Sequence, residues 1–240
     1  MSDTADRFEV PLYSVSEAAR YLGVPASTFS TWAHGYVRRP ADGRSEVTGD
    51  AVVTALPRRS PNEATIPFVG LAEGLVLAAI RQAGVPLQRI RPALARLGEE
   101  FGLEHVLASK YLYTDGAEVL YDYAQREGDT PEARSARQLV VARNHQHVFS
   151  EVVDGYLHRV QFGPDGYAQL IRLPKYRDAE VVVDSRRGFG QPTFVRGGAR
   201  LEDVIGAFRA GESLLVVAEE YGVPQGELED ALRVATSLAA

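Results

Sequence analysis

The sequence has 240 residues, no cysteine, an apolar fraction of 45% and a formal net charge of −6. That length accommodates one large domain or two smaller ones around an ordinary packed core. The missing thiols exclude disulfides, thiolate metal centres and cysteine nucleophiles, and the negative balance argues against a generic nucleic-acid coat. No basic-then-apolar leader opens the chain and no apolar run reaches membrane-spanning length, so a cytoplasmic protein without a membrane partner is expected. The charge is unevenly spread. Residues 201–240 hold Glu202, Asp203, Glu212, Glu219, Glu220, Glu227, Glu229 and Asp230 against Arg209 and Arg233, which leaves the remainder formally neutral. DNA affinity would then have to come from a local patch, with the acidic end facing something else.

In chain order, residues 1–12 read as a loose arm or short strand with Phe8, Val10 and Leu12 alternating. Ser14 or Ser16 can cap a helix whose apolar face is Val15, Ala18, Ala19 and Leu22. Gly23-Val24-Pro25 ends it, and a second helix begins at Ala26 or Ser27, with Phe29, Trp32 and Ala33 inward. Two short helices around a Gly-containing turn form a helix-turn-helix pattern, whose second helix can enter the major groove of DNA. Ser27, Thr28, Ser30, Thr31 and His34 face outward as candidate base readers, and Arg38 and Arg39 as candidate phosphate ligands. No acid occurs from Ala26 to Ala41. The run Ala51–Leu56 is expected to pair with Tyr36–Arg38 as a wing, with Arg44, Arg58 and Arg59 available to phosphates. Helices follow at Leu71–Ala83 and Leu87–Phe101, then a hairpin over Val106–Tyr123 around Asp115-Gly116 with a tyrosine stripe at Tyr111, Tyr113, Tyr121 and Tyr123. A helix is expected over Gln138–Leu157 and a second hairpin over His158–Leu173. Val181–Ala240 divides into a strand, a Gly-rich turn and three helices near 201–210, 213–221 and 225–236. The last helix carries Glu227, Glu229 and Asp230, which would repel phosphates, so DNA is assigned to the front pair and protein contact to the back.

Two resemblances follow from these motifs. The helix-turn-helix, wing and following helix AAIRQAGVPLQRIRPAL resemble the DNA-binding head of MerR-type winged-helix regulators, without the long dimerising coiled coil of that family. The C-terminal stretch, with Asp184, Gly190, Pro192, Gly197, Gly211, Val217, Ala218 and Tyr221 in order, resembles the three-helix domain of VapB-like antitoxins. The second resemblance implies a PIN-domain ribonuclease toxin as partner, operator DNA as a second one, and a homodimer on a two-fold site. PIN ribonucleases hold divalent metal on clustered acids, so basic and aromatic side chains suit their inhibition. Arg186, Arg187 and Phe189 are the candidate toxin contacts, with Lys175-Tyr176-Arg177 as the alternative segment.

Enzyme chemistry finds no support in the sequence. Phosphate-loop, nucleophile-elbow and H-E-x-x-H signatures are missing, and the His145/His147 pair lacks accompanying ligands even with His158 nearby. Catalytic residues, a metal and a cofactor are therefore not expected. The fold expected is mainly α with small β-hairpins: a winged helix-turn-helix head over 1–110, a connecting region over 111–177, and a C-terminal three-helix domain over 178–240. The function expected is that of an antitoxin that binds and neutralises a PIN-domain ribonuclease and autoregulates its operon. Two other readings stay open: a one-component regulator sensing a small molecule in its middle region, and a protein-interaction adaptor that never meets DNA.

Overall fold

A computed structural model describes residues 6–39, 46–58, 60, 63–82, 91, 94–95, 98–99, 102–114, 130, 156 and 158–237. The chain opens with a short helix α1 (Asp6–Glu9), where an arm or strand was expected. Its cause lies far along the sequence: the buried Arg7 pairs with Asp165 and donates from Nη1 to the Ala168 carbonyl at 3.0 Å. Next come α2 (Val15–Leu22) and α3 (Ala26–His34), as the sequence indicated. Ser14 and Glu17 form a full capping box at the start of α2, and Gly23 closes it in the left-handed conformation at φ 72°.

α4 (Phe68–Gln82) is the central post of the head, with almost every residue from Phe68 to Ile80 buried. Phe29, Trp32 and Ala33 of α3 are buried with it in one apolar cluster. Gly74 makes this approach possible, because a Cβ there would lie 2.5 Å from the Phe29 ring and 2.9 Å from Leu22. The single acid on α4, Glu73, is buried but fully engaged: it accepts from Thr54 N at 2.6 Å, Thr54 Oγ1 at 3.1 Å and His105 Nδ1 at 3.1 Å. The described residues of the next segment, Arg91, Leu94, Ala95, Gly98 and Glu99, are helical as expected.

The wing differs in detail from expectation. β1 (Tyr36–Arg38) pairs antiparallel with β2 (Val47–Gly49), not with Ala51–Leu56. Val52 and Val53 instead donate their N–H groups to the Trp32 carbonyl at 2.8 and 3.0 Å, so this β-prone run fastens the end of α3 to the core. The hairpin expected over Val106–Tyr123 is replaced, in its described part, by a 3₁₀ turn (Val106–Ala108) and a short helix α5 (Tyr111–Thr114). Residues 115–123, with the rest of the tyrosine stripe, and the helix expected over 138–157 lie outside the described residues apart from the helical Tyr156.

The second half is built on an antiparallel sheet in the order β3 (Val160–Phe162), β4 (Ala168–Arg172), β5 (Val181–Asp184), β6 (Thr193–Phe194). The hairpin β3–β4 falls where the sequence placed it, in register Val160 to Ile171. Three helices follow: α6 (Leu201–Arg209), α7 (Leu214–Tyr221) and α8 (Gln225–Ser237). α8 is fixed to the sheet by charge as well as by Leu228 and Ala231. Asp230, 2% exposed, accepts from the N–H groups of Arg177, Asp178 and Ala179 at 2.7, 2.9 and 3.1 Å and pairs with Arg233 at 3.0 Å. Glu227, also buried, pairs with Arg196. The mainly helical architecture with small antiparallel strands is thus the one expected.

Burial alone would raise the Asp230 pKa, but the three N–H donors and Arg233 outweigh it and hold the carboxyl below its ordinary 3.8. A depressed folded-state pKa contributes stability that is present above 3.8 and is lost as pH falls through the lower folded value. Asp230→Ala is expected to lower unfolding free energy at pH 7 by about 2 kcal/mol, since it strands three backbone donors, of which that of Ala179 is buried. It should also flatten the stability loss of the natural protein below about pH 4, both read by urea denaturation across pH. Gly74→Val should cost about 1–3 kcal/mol by overpacking against Phe29.

Candidate nucleic-acid interface and partner-contact turn

α3 presents the candidate reading face. Ser27 and His34 are exposed, and Thr28, Ser30 and Thr31 are partly so. Four of these side chains already have partners, Ser30 Oγ lying 3.5 Å from His34 Nδ1. Thr31 Oγ1 donates to the Ser27 carbonyl at 2.9 Å, and His34 Nδ1 lies 3.1 Å from the Ser30 carbonyl. Thr28 Oγ1 accepts from Arg81 Nη1 at 3.0 Å. Arg81, in the last turn of α4, therefore sets a guanidinium beside the first turn of α3. Sequence reasoning missed it because 53 residues separate the two positions.

Two of the wing's arginines, Arg39 and Arg58, have side chains among the described residues. Arg38 sits on β1 opposite Val47, and its side chain is outside the described residues, as are Arg44 and Arg59. Arg39 is 82% exposed and pairs with Glu46 across the wing at 2.5 Å. An exposed pair of this kind is worth little, about 1 kcal/mol at most, so a phosphate can compete for the guanidinium. Arg58 is exposed and donates to the Ser60 carbonyl at 2.8 Å.

The turn after β5 has an unusual backbone. Gly188, Phe189 and Gly190 all have positive φ, at 59°, 53° and 69°. Phe189 is the one non-glycine residue with positive φ among those described, and it is 82% exposed. Holding an aromatic residue there costs about 1–2 kcal/mol, and its ring recovers little of that by burial. Arg187 is 84% exposed. Arg186 is held more closely: its N–H donates to Asp184 Oδ1 at 2.9 Å, and its Nε reaches the Gln169 amide oxygen at 2.7 Å once that amide is turned toward it. Of the three candidate toxin contacts, Phe189 is largely exposed, Arg187 is exposed with its Nε 3.9 Å from Asp184, and Arg186 braces the turn. The alternative segment lies close by, since Lys175, Tyr176 and Phe189 border one cleft.

Comparison with known proteins adds to this geometry. Residues 11–94 match the family described as "Putative DNA-binding HTH domain". A protein of Mycobacterium tuberculosis named "Putative antitoxin VapB45" is 51% identical over 94% of this chain and 94% of its own length. The chain belongs to the VapB45-like antitoxin family. An uncharacterised protein of the same organism, Rv2308, is 28% identical over 92% of this chain and 88% of its own. A solved X-ray structure, that of Rv2018 from Mycobacterium tuberculosis, superposes with a TM-score of 0.79 at 48% identity, covering 94% of this chain and 99% of that one.

One electrostatic expectation for this VapB45-like chain is corrected by the structure. The carboxylates of α8 were expected at its surface, yet Glu227 and Asp230 point inward, and only Glu229 is exposed, with Gln225 Nε2 at 2.9 Å. Acidic surface also lies on α6, α7 and the turn between them, where Glu202, Asp203, Glu212, Glu219 and Glu220 are all exposed. Of the histidines considered as ligands, His158 is exposed and His145 and His147 lie outside the described residues. Among the described residues no helix is long and apolar enough to cross a membrane.

The strain at Phe189 gives a direct test. Phe189→Asn, which tolerates the left-handed region, is expected to leave stability unchanged or raise it by about 1 kcal/mol. A clear loss in urea denaturation would show that the ring supports the fold.

Proposed function

We propose that the chain is an antitoxin that binds and neutralises a PIN-domain ribonuclease toxin and represses its own operon by binding operator DNA as a homodimer. The observation that carries this reading is the 51% identity, over nearly the full length of both chains, to the protein named "Putative antitoxin VapB45". In this reading the head over 1–110 meets DNA, the region over 111–177 connects, and the part over 178–240 meets the toxin. It has no catalytic task, uses no metal or cofactor, and works in the cytoplasm.

α3 enters the major groove with Ser27, Ser30, Thr31 and His34 toward base edges, and Thr28 acts through its bond to Arg81. Arg38, Arg39 and Arg81 hold the phosphate backbone. The acid-free α3 supports this placement, since nothing on its exposed face repels phosphate. At the other end, the acidic face of α6 and α7 keeps DNA away from that part of the surface. Arg187 and Phe189 make the first contact with the toxin, and Arg186, braced on Asp184 and Gln169, fixes the turn that presents them. An exposed aromatic residue held at a strained φ is the kind of side chain kept for a partner, not for the fold.

The test is co-purification of the tagged chain with the products of its flanking genes, followed by sizing chromatography. A ribonuclease should co-elute, and Arg187→Ala with Phe189→Ala should weaken that complex at least tenfold while leaving operator binding intact. Thr31→Glu should do the reverse. Arg81→Gln should weaken operator binding on every sequence and reduce the slope of log affinity against log salt by about 1. Failure of any flanking product to co-elute would remove the toxin half of the proposal, and a salt-independent DNA response would remove the other half.

A further inference from the structure

A cleft of about 730 Å³ lies between the exposed face of α2 and the C-terminal half of the chain. Its walls include Arg20 and Tyr21 of α2, Lys175 and Tyr176 ahead of β5, and Leu201 and Ile205 of α6. That volume suits a small organic molecule. The cleft has a charge problem at its α2 end. Lys175 is half-buried, with its stem laid over Gly23 in the turn between α2 and α3. Burial first, and then the Arg20 guanidinium, hold its pKa below the ordinary lysine range. No carboxylate offsets them: none of the ion pairs among the described residues includes Arg20 or Lys175. Glu17 also lines the cleft, but its carboxylate is taken up by Ser14 N at 2.8 Å and Ser14 Oγ at 2.7 Å. Arg200, Glu202, Asp203 and Arg209 line the cleft from α6 and its N-terminal approach.

Two like charges kept together where water is partly excluded raise the energy of the empty site, and an anion between them lowers it. Tyr176 adds a donor. Burial, with Tyr21 next, pushes its phenol up to about 12, so it keeps its proton at neutral pH. We propose that this cleft binds a small organic oxyanion, a carboxylate or phosphate on an apolar body, with the anionic group between Arg20 and Lys175 and the body along Leu201 and Ile205. The site adjoins the proposed toxin contact, since Phe189 lines the same cleft, but binding of its anion requires neither toxin nor operator. It also moves the effector pocket of the regulator reading from the middle of the chain to the joint between α2 and the C-terminal half.

Titration calorimetry of the full chain with benzoate and with phenyl phosphate, at constant ionic strength, tests it. Saturable binding of at least one probe is expected, weakened about tenfold or more in both Lys175→Met and Arg20→Gln. The preferred probe tells carboxylate from phosphate. The ligand-free Lys175→Met protein should melt no lower than the natural one, because it loses a repulsion and keeps the stem over Gly23. Equal binding in natural and variant proteins overturns the proposal, as does the absence of saturation by either probe. Inorganic phosphate binding as tightly as phenyl phosphate overturns the apolar half of the site. If the variants lose operator affinity and bind neither probe differently, the anion is a DNA phosphate and the proposal falls.

Discussion

The molecule depends on what happens around Tyr13. The residue is wholly buried, and its backbone pairs in both directions with Ile66, just before α4. Its hydroxyl donates to the Gly190 carbonyl at 2.8 Å. One side chain therefore joins the start of the helix-turn-helix, the entry to the central post and the strained turn of the second half. Burial first, with Tyr21 and Glu17 adding, pushes the phenol well above its ordinary pKa, so it remains a donor throughout the working range. Gly190 must be glycine for the same reason: a Cβ there would lie 2.6 Å from the Tyr13 oxygen. The Gly188–Gly190 turn is thus anchored on the half that holds the helix-turn-helix.

Much of this was legible in the sequence where local rules decide. The capping box at Ser14 and Glu17, the Gly23 and Gly222 helix ends, and the three C-terminal helices all follow from nearest-neighbour chemistry. Long-range partners were not legible. The run at Ala51–Leu56 has the residues of a strand, but its N–H groups go to Trp32 and Glu73, which no periodicity announces. α1 reads as an arm until Arg7 meets Asp165. Acids on helices are usually solvated, and Glu73, Glu227 and Asp230 are buried instead. Each is buried because backbone or side-chain donors from another element surround it. Of the candidate site, the reading face of α3 was visible from spacing, while Arg81 beside Thr28 and the cleft that Arg20 and Lys175 both line required the fold.

The charge distribution then takes on a different meaning. The acidic C-terminal end is two populations with separate tasks. Glu227 and Asp230 hold α8 to the segments flanking β5 and β6, and the six exposed acids, Glu202, Asp203, Glu212, Glu219, Glu220 and Glu229, shape the surface. Only the second group contributes to what a partner or a DNA backbone meets at contact distance. The formal net charge of the segment overstates its repulsion of phosphate at the surface.

The bond from Tyr13 to Gly190 spans 177 residues, and that from Arg7 to Ala168 spans 161. A ribosome delivers these partners long after the helix-turn-helix itself has emerged. Until then the reading helix exists without the strut that joins it to the second half, and its buried tyrosine has no acceptor. The head gains its full set of contacts only as the second half is completed, so the two halves of the chain mature together during synthesis.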